Sequence, residues 1–364
     1  MPLPPPSDRA ADEGVAWFGD TVARHPVEVV DVARDPAALA RPGWWALVGE
    51  FGGRVRAWRF ADVAVGARPD VVGAAQPWAG PGAGVWTSSL GREAYVAAVA
   101  AVRDHIREGD VYQANLCRVL QAPLDDEPDA LALGRVLDAG NPAPYSGGVH
   151  VPGGGSAGVW VVTASPELFL RVDGDVVTSG PIKGTARTAA GLGDKDRAEN
   201  VMIIDLVRND LQHVCAPGTV EVTQLLGVER HPGLVHLVST VQGRLAPEVR
   251  GERLWGPLLA ATYPPGSVSG APKSSALRII DALEPVPRGP YCGAVGWVHV
   301  APEGRTRAEL AVGIRTFWWQ DGLLRFGTGA GITWGSDPQA EWAETELKAA
   351  RLVALASGQG TLAR

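Results

Sequence analysis

Apolar residues repeat with a period of two in some stretches of this chain and near 3.6 in others, and the two kinds of stretch arrive in blocks. That arrangement favours an α+β fold over a doubly wound parallel sheet, which needs a helix after nearly every strand. Residues 93–109 set Tyr95, Val99, Val102 and Ile106 at helical spacing and close on Gly109-Asp110. Residues 111–120 then alternate as a strand, with Gln113, Asn115 and Cys117 on one face. Further strands are expected over 44–48, 55–60, 158–164, 167–172, 176–179, 220–222 and 235–245. Helices are expected over 194–211 and 272–283, the second with Pro272 at its first position. The last third reads as strands at 294–300, 310–319 and 323–328, the latter two joined by an Asp321-Gly322 turn. A closing helix has Asp337 as N-cap and Pro338 at its first position. Residues 1–90 are punctuated by Pro and Gly and show no chemistry.

At 364 residues, 46% hydrophobic, the chain can bury one large core or two closely packed halves. A net charge of −7 with no basic run argues against a nucleic-acid surface. Cys117, Cys215 and Cys292 are odd in number and far apart, so neither a disulfide framework nor a CxxC metal site is suggested. The Pro-rich start has no secretory layout and no apolar run reaches spanning length, so a cytoplasmic protein with no membrane partner is expected. Positive charge is written almost entirely as Arg. Lysine survives only at Lys183, Lys195, Lys273 and Lys348, and lysine, unlike arginine, can lose its proton and attack carbon.

Two acidic pairs three residues apart, Asp196 with Glu199 and Glu341 with Glu344, can each aim two carboxylates at one point. Together they would suit a hard cation such as Mg²⁺; alternatively they complement helix dipoles and face water. Lys348, four residues after Glu344, is either its surface partner or an anion contact. Lys183, in Gly180-Pro181-Ile182-Lys183-Gly184-Thr185, is either a solvated loop charge or a desolvated nucleophile. Glu167 is a general acid if it is buried and an edge charge otherwise. The run from Gly327 to Gly331 lacks dinucleotide-loop spacing and instead offers backbone N–H groups to a carboxylate. Gly266-Ser267-Val268-Ser269-Gly270-Ala271-Pro272-Lys273 leads into a helix N-terminus, so Lys273 needs an acidic partner or an anionic ligand. No histidine pair has zinc spacing, and His236 reads as a core residue. Gly154-Gly155-Ser156-Ala157-Gly158 matches a nucleophile elbow by letter but lacks its strand-to-helix context and reads as a turn.

Several of these segments stand in a fixed order. They are Gly109-Asp110-Val111-Tyr112-Gln113-Ala114-Asn115-Leu116, Ser165-Pro166-Glu167, Pro181-Ile182-Lys183-Gly184-Thr185 and Asp196-Arg197-Ala198-Glu199-Asn200. Asp205-Leu206-Val207-Arg208-Asn209-Asp210, Ser269-Gly270-Ala271-Pro272-Lys273, Ile314-Arg315-Thr316, Gly329-Ala330-Gly331-Ile332 and Glu341-Trp342-Ala343-Glu344 complete the series. The series resembles the chorismate-utilising family, which includes anthranilate, isochorismate, salicylate and aminodeoxychorismate synthases. The resemblance spans residues 91–356, leaving 1–90 to add strands to the same body and 357–364 as a tail. It implies a two-sheet β-sandwich with helices outside. It also implies Mg²⁺ at Glu199 and Glu344 supported by Asp196 and Glu341, and Glu167 as the acid that protonates the departing C4 hydroxyl of chorismate. Substrate contacts would come from Thr185, His236, Ser267, Tyr291, Arg315, Lys348 and the backbone of Gly329, Ala330 and Gly331.

Gln113 stands where water-adding relatives have a Lys, and Lys183 where anthranilate synthases resemble one another in having Ala. The implied subfamily is therefore the synthase component of aminodeoxychorismate synthase, with Lys183 as nucleophile on the route to p-aminobenzoate and folate. Anthranilate synthase component I, a 2-amino-2-deoxyisochorismate synthase and a catalytically silent paralogue are the rival readings. Ser267 replaces a Thr, Glu309 an Asp, and the tryptophan-binding type of segment is missing from the N-terminal stretch. Ammonia is expected from a separate glutamine amidotransferase subunit.

Overall fold

A computed structural model of the protein describes residues 13–66, 77–153, 157–186, 188–231 and 234–359. The turn expected at Gly154-Gly155-Ser156 lies outside the described residues. The N-terminal segment supplies β1 (Val15–Phe18), β2 (Thr21–Asp31), β3 (Gly43–Gly49) and β4 (Val55–Val65). Next come β5 (Thr87–Ser88), helix α1 (Arg92–Glu108), β6 (Gln113–Pro123), α2 (Ala130–Gly140), β7 (Tyr145–Val151) and β8 (Val159–Ser165). The middle of the chain forms β9 (Leu168–Asp173), β10 (Val176–Gly180), β11 (Ile182–Ala186), α3 (Asp194–Gln212), β12 (Glu221–His231) and β13 (Leu234–Arg244). The last part forms α4 (Trp255–Thr262), β14 (Gly270–Ala271), α5 (Lys273–Leu283), β15 (Ala294–Val300), β16 (Thr306–Val312), β17 (Thr316–Gln320), β18 (Leu323–Ile332) and α6 (Pro338–Ala356).

The described strand pairings are antiparallel, and one ladder of hydrogen bonds links the strands in an order far from that of the chain. From β6 it passes through β18, β17, β8, β7, β1, β2 and β4. It continues through β3, β15, β16, β9, β10 and β13 to β12. The ladder doubles over so that its two ends share one core. Val119, Val149 and Val161 from the first half lie in the same buried cluster as Leu47, Leu170, Val295 and Leu310 from the second. This is the expected sandwich, and β1 to β4 occupy the middle of its ladder. Helices cover the outside: α2 and α6 bury leucines against β8, β17 and β18, and α1 and α5 pack on β6 and β18.

Local sequence sets most of the element ends. Gly109 closes α1 in the left-handed region at φ 86°. Asp321 and Gly322, at φ 53° and 71°, make the tight turn between β17 and β18. Three expectations change. The single strand over 310–319 divides at Gly313–Arg315, because β16 pairs with β9 and β15 whereas β17 pairs with β8 and β18. The segment around Lys183, read as a loop, is strand β11, and the strand expected over 323–328 continues through Gly329 and Gly331 to Ile332 as β18. Pro272 is the N-cap of α5 and not its first residue. Strands β1, β2 and β7 and helices α2 and α4 are additional to those expected; β1 joins β2 as a hairpin and β7 across more than a hundred residues, and α2 carries a local signal in Asp129, which accepts the Ala132 N–H at 3.1 Å.

Asp337 accepts the N–H groups of Gln339 and Ala340 at 3.1 and 2.9 Å and so starts α6. Asp337→Ala is expected to lower unfolding free energy by about 1 kcal/mol in urea titration. An unchanged midpoint would show that packing alone holds this helix.

Candidate active site

The site begins with a break in a strand. β10 and β11 lie end to end along one edge of β13, and the irregularity between them falls at Gly180-Pro181. Lys183 then stands opposite Leu237, half-buried, and its Nζ donates to the Ser267 carbonyl at 2.8 Å. Burial lowers the pKa of this amine, and Lys348 lowers it further; Glu167, Glu199 and Glu344 oppose the shift. Four charged groups, Glu167 ahead of β9, Glu199 on α3, and Glu344 and Lys348 on α6, thus act on one amine. Gly184, at φ 73°, lets the strand pass close to α3, where a methyl on it would come 2.8 Å from Asp196 Cβ.

Glu167 sits just before β9 and is 3% exposed. Burial raises the pKa of its carboxyl, against hydrogen bonds from the Ser267 side chain and the Ile182 backbone and the charge of Lys183. Ser267 thus touches both groups, its carbonyl holding the amine and its hydroxyl the acid. A small cavity of about 20 Å³, lined in part by Glu167, Ser179, Asp210, Thr262 and Ser267, adjoins the carboxyl. Lys273 has the acidic partner expected of it: its Nζ meets Asp210 Oδ2 at 2.8 Å and the Thr262 carbonyl at 3.1 Å.

The glycine segment works as a half-covered strand. In β18, Gly329 and Gly331 are in register with Cys117 and Asn115 of β6. The Cys117 N–H is directed to Glu284 and the Asn115 N–H to the Ser269 carbonyl, so both point away from β18. Antiparallel geometry then turns the backbone groups of Gly329 and Gly331 away from β6 as well. Pairing with β17 ends at Phe326, leaving their N–H groups on an edge that no described strand covers. Ala330 faces the other way and its methyl is in the core. Lys348 Nζ reaches the Gly329 carbonyl at 3.1 Å and Glu344 at 2.6 Å. A methyl on Gly331 would lie 2.3 Å from Gln113 Nε2 and 4.0 Å from Lys183 Nζ, so all three converge. Gln113 is 1% exposed, and its Oε1 has no hydrogen-bond partner among the described residues.

Arg315 lies in the break between β16 and β17 at φ 51°, half-buried, and no ion pair forms on it among the described residues. Burial lowers its pKa with no carboxylate to oppose the shift, which leaves a cation suited to an incoming anion. Tyr291, expected as a substrate contact, is 5% exposed, with its ring beneath Gly327. His236 is 1% exposed on β13 and in register with Thr185, whose side chain lies outside the described residues.

Of the four carboxylates expected at Mg²⁺, Glu199 on α3 and Glu344 on α6 both act on the Lys183 amine and so face one space. Two carboxylates from separate helices fit a hard cation that shares its shell with water and substrate oxygens. Asp196, expected to support them, accepts the Gly193 N–H at 2.8 Å at the start of α3. Glu341 is 3% exposed at the start of α6. The sequence reading gave no role to Glu284 and Arg288, whose only local signal is opposite charge four residues apart across two prolines.

Residues 76–354 match the family model described as chorismate binding enzyme. The chain belongs to that family. It is 41% identical over 272 residues to anthranilate synthase component 1 of Streptomyces coelicolor, covering 71% of this chain and 50% of that one. The Thermus thermophilus protein of the same name is 41% identical over 280 residues, covering 73% and 57%. That of Saccharolobus solfataricus is 37% identical over 275 residues, covering 72% and 62%. The match thus spans between half and about three fifths of these curated relatives. The fold is shared with anthranilate synthase component I from Streptococcus pneumoniae, at TM-score 0.73 and 23% identity over 97% of this chain and 91% of that one. It is shared equally with the menaquinone-specific isochorismate synthase MenF from Escherichia coli, at TM-score 0.75 and 18% identity over 98% and 93%. Among the described residues no helix is long and apolar enough to cross a membrane.

Because burial raises the pKa of the Glu167 carboxyl, its folded-state pKa lies above the unfolded value of 4.5, and its contribution to stability fades as pH rises from there. Glu167→Gln removes that dependence. The melting temperature of the variant relative to the parent is expected to rise as pH is raised toward neutrality, and a constant difference would mean that the carboxyl ionises normally in the fold.

Proposed function

We propose that this cluster of groups aminates chorismate at C4, with Lys183 as a covalent nucleophile and Glu167 as general acid. The observation that carries the reading is the Lys183 amine: half-buried, its pKa lowered by burial, and held by Ser267 beside Glu167, whose pKa burial raises. The neutral amine adds at C2 of chorismate, the ring double bonds shift, and the C4 hydroxyl leaves as water with the proton from Glu167. Ammonia then adds at C4, the double bonds shift back, and the lysine leaves as a free amine. The net change is chorismate plus ammonia to 4-amino-4-deoxychorismate plus water.

Chorismate is a dianion, and the reading gives its carboxylates Arg315, Lys348 and the backbone N–H groups of Gly329 and Gly331. Mg²⁺, when bound by Glu199 and Glu344, would neutralise carboxylate charge and fix the substrate's orientation. Gln113 Oε1, buried and lacking a donor among the described residues, is an acceptor suited to an N–H of the incoming nitrogen. The ammonia source is proposed to be a separate glutamine amidotransferase subunit, and the product to feed p-aminobenzoate and folate formation.

A second reading, anthranilate synthase component I, is favoured by the names of the relatives. It puts nitrogen at C2 and leaves Lys183 without a covalent role. Product identification by mass spectrometry separates the two, using purified protein with chorismate, Mg²⁺ and ammonium, beside Lys183→Ala. Aminodeoxychorismate is expected from the parent, with its rate falling by at least about 100-fold in the variant. Anthranilate from the parent, at a rate that survives the substitution, would establish the second reading instead.

A further inference from the structure

Glu284 and Arg288 form an ion pair inside the protein, their side chains 6% and 1% exposed. Burying two charges is costly unless each is fully hydrogen-bonded. Here Arg288 Nε and Nη2 meet Glu284 Oε2 and Oε1 at 2.8 and 2.7 Å, and the guanidinium lies 4.0 Å from the centre of the Phe51 ring. Its remaining reach goes to backbone: Nη1 donates to the Val268 carbonyl at 3.0 Å, and Nη2 to the Asn115 carbonyl at 2.6 Å. Glu284 Oε1 in turn accepts the Cys117 N–H at 2.8 Å. One pair therefore ties together the end of α5, the loop ahead of β14, and β6.

Each tied point adjoins a group of the site. Val268 follows Ser267, whose carbonyl holds the Lys183 amine. Asn115 is two residues beyond Gln113, and Cys117 is in register with Gly329. We infer that Arg288, locked by Glu284, is a positioning residue that fixes the Ser267 carbonyl and through it the orientation of the Lys183 amine. An apolar pair of equal volume would fill the space but leave the Val268 and Asn115 carbonyls and the Cys117 N–H without partners. Lysine at 288 would keep the charge without the planar fork that serves a carboxylate and two carbonyls at once. The inference deepens the proposed function, resting on it for the catalytic consequence, but the position of the amine is measurable without turnover.

The test is competitive acylation of the folded full-length chain by an amine-reactive reagent, read by peptide mass spectrometry at Lys183 relative to Lys348. In the neutral double variant Arg288→Gln with Glu284→Gln, Lys183 is expected to react about fivefold faster, the factor that loss of one ordinary hydrogen bond brings. Arg288→Lys should give an intermediate increase. Unchanged Lys183 reactivity in a double variant that is folded by circular dichroism overturns the inference; should that variant not fold, unchanged reactivity in Arg288→Lys does so. Turnover distinguishes this failure from that of the proposed function: unchanged labelling with C4 product formed removes only the positioning role, and altered labelling with nitrogen at C2 removes only the C4 assignment.

Discussion

A hydrogen-bonded strand has two edges, and the site exists because β18 has one of them covered for only part of its length. Up to Phe326 the strand lies between β6 and β17; beyond it the backbone of Gly329 and Gly331 turns outward with no described strand alongside. Glycine is required where the wall is thinnest, since a methyl at 327 would come within 2.0 Å of the Tyr291 ring and one at 331 within 2.3 Å of Gln113. The break at Gly313–Arg315 is what shortens β17, and it also brings in the Arg315 guanidinium, which forms no ion pair among the described residues. Anion-binding donors and a cation thus arise from one topological event, the passage of the chain between two places in the ladder.

On the opposite side, desolvation sets the chemistry. Burial works in opposite senses on an amine and a carboxyl, lowering the pKa of Lys183 and raising that of Glu167, and both shifts favour the neutral forms. A neutral amine and a protonated acid side by side are what nucleophilic attack with loss of a poor leaving group needs. Ser267 makes this compatible with a packed interior by offering a carbonyl to one and a hydroxyl to the other. Behind it, two cations hold the loop: half-buried Lys273 through Asp210 and Thr262, and buried Arg288 through Glu284 and the Val268 carbonyl. The acidic pairs on α3 and α6 divide in the same spirit, Asp196 serving its own helix while Glu199 looks toward the amine.

Much of this was legible in the sequence because the signals are local. The glycine that ends α1, the Asp-Gly turn and the Asp337 cap each depend on a few neighbouring residues, and α3 and α6 emerged within about two residues of where periodicity put them. The scarcity of lysine drew notice to Lys183, Lys273 and Lys348, and the order of motifs gave the family. Strands β1, β2 and β7 escaped notice although β1 and β2 form a hairpin with a local Gly19-Asp20 turn; the pairing of β1 with β7 is the one that spans more than a hundred residues.

By itself, then, the sequence determined which residues could bind an anionic ring, which could attack it and which could donate a proton, since those capacities belong to side chains. Only the tertiary structure decided that Lys183 is a half-buried strand residue and not a solvated loop charge, and that Glu167 is sealed from water. It also decided that Glu284 and Arg288, which look like a surface pair when read along the chain, lie at the centre. The physical reason is that pKa, burial and free backbone edges are properties of surroundings. Here those surroundings come from strands that meet across more than a hundred residues of chain, such as β6 with β18 and β9 with β16.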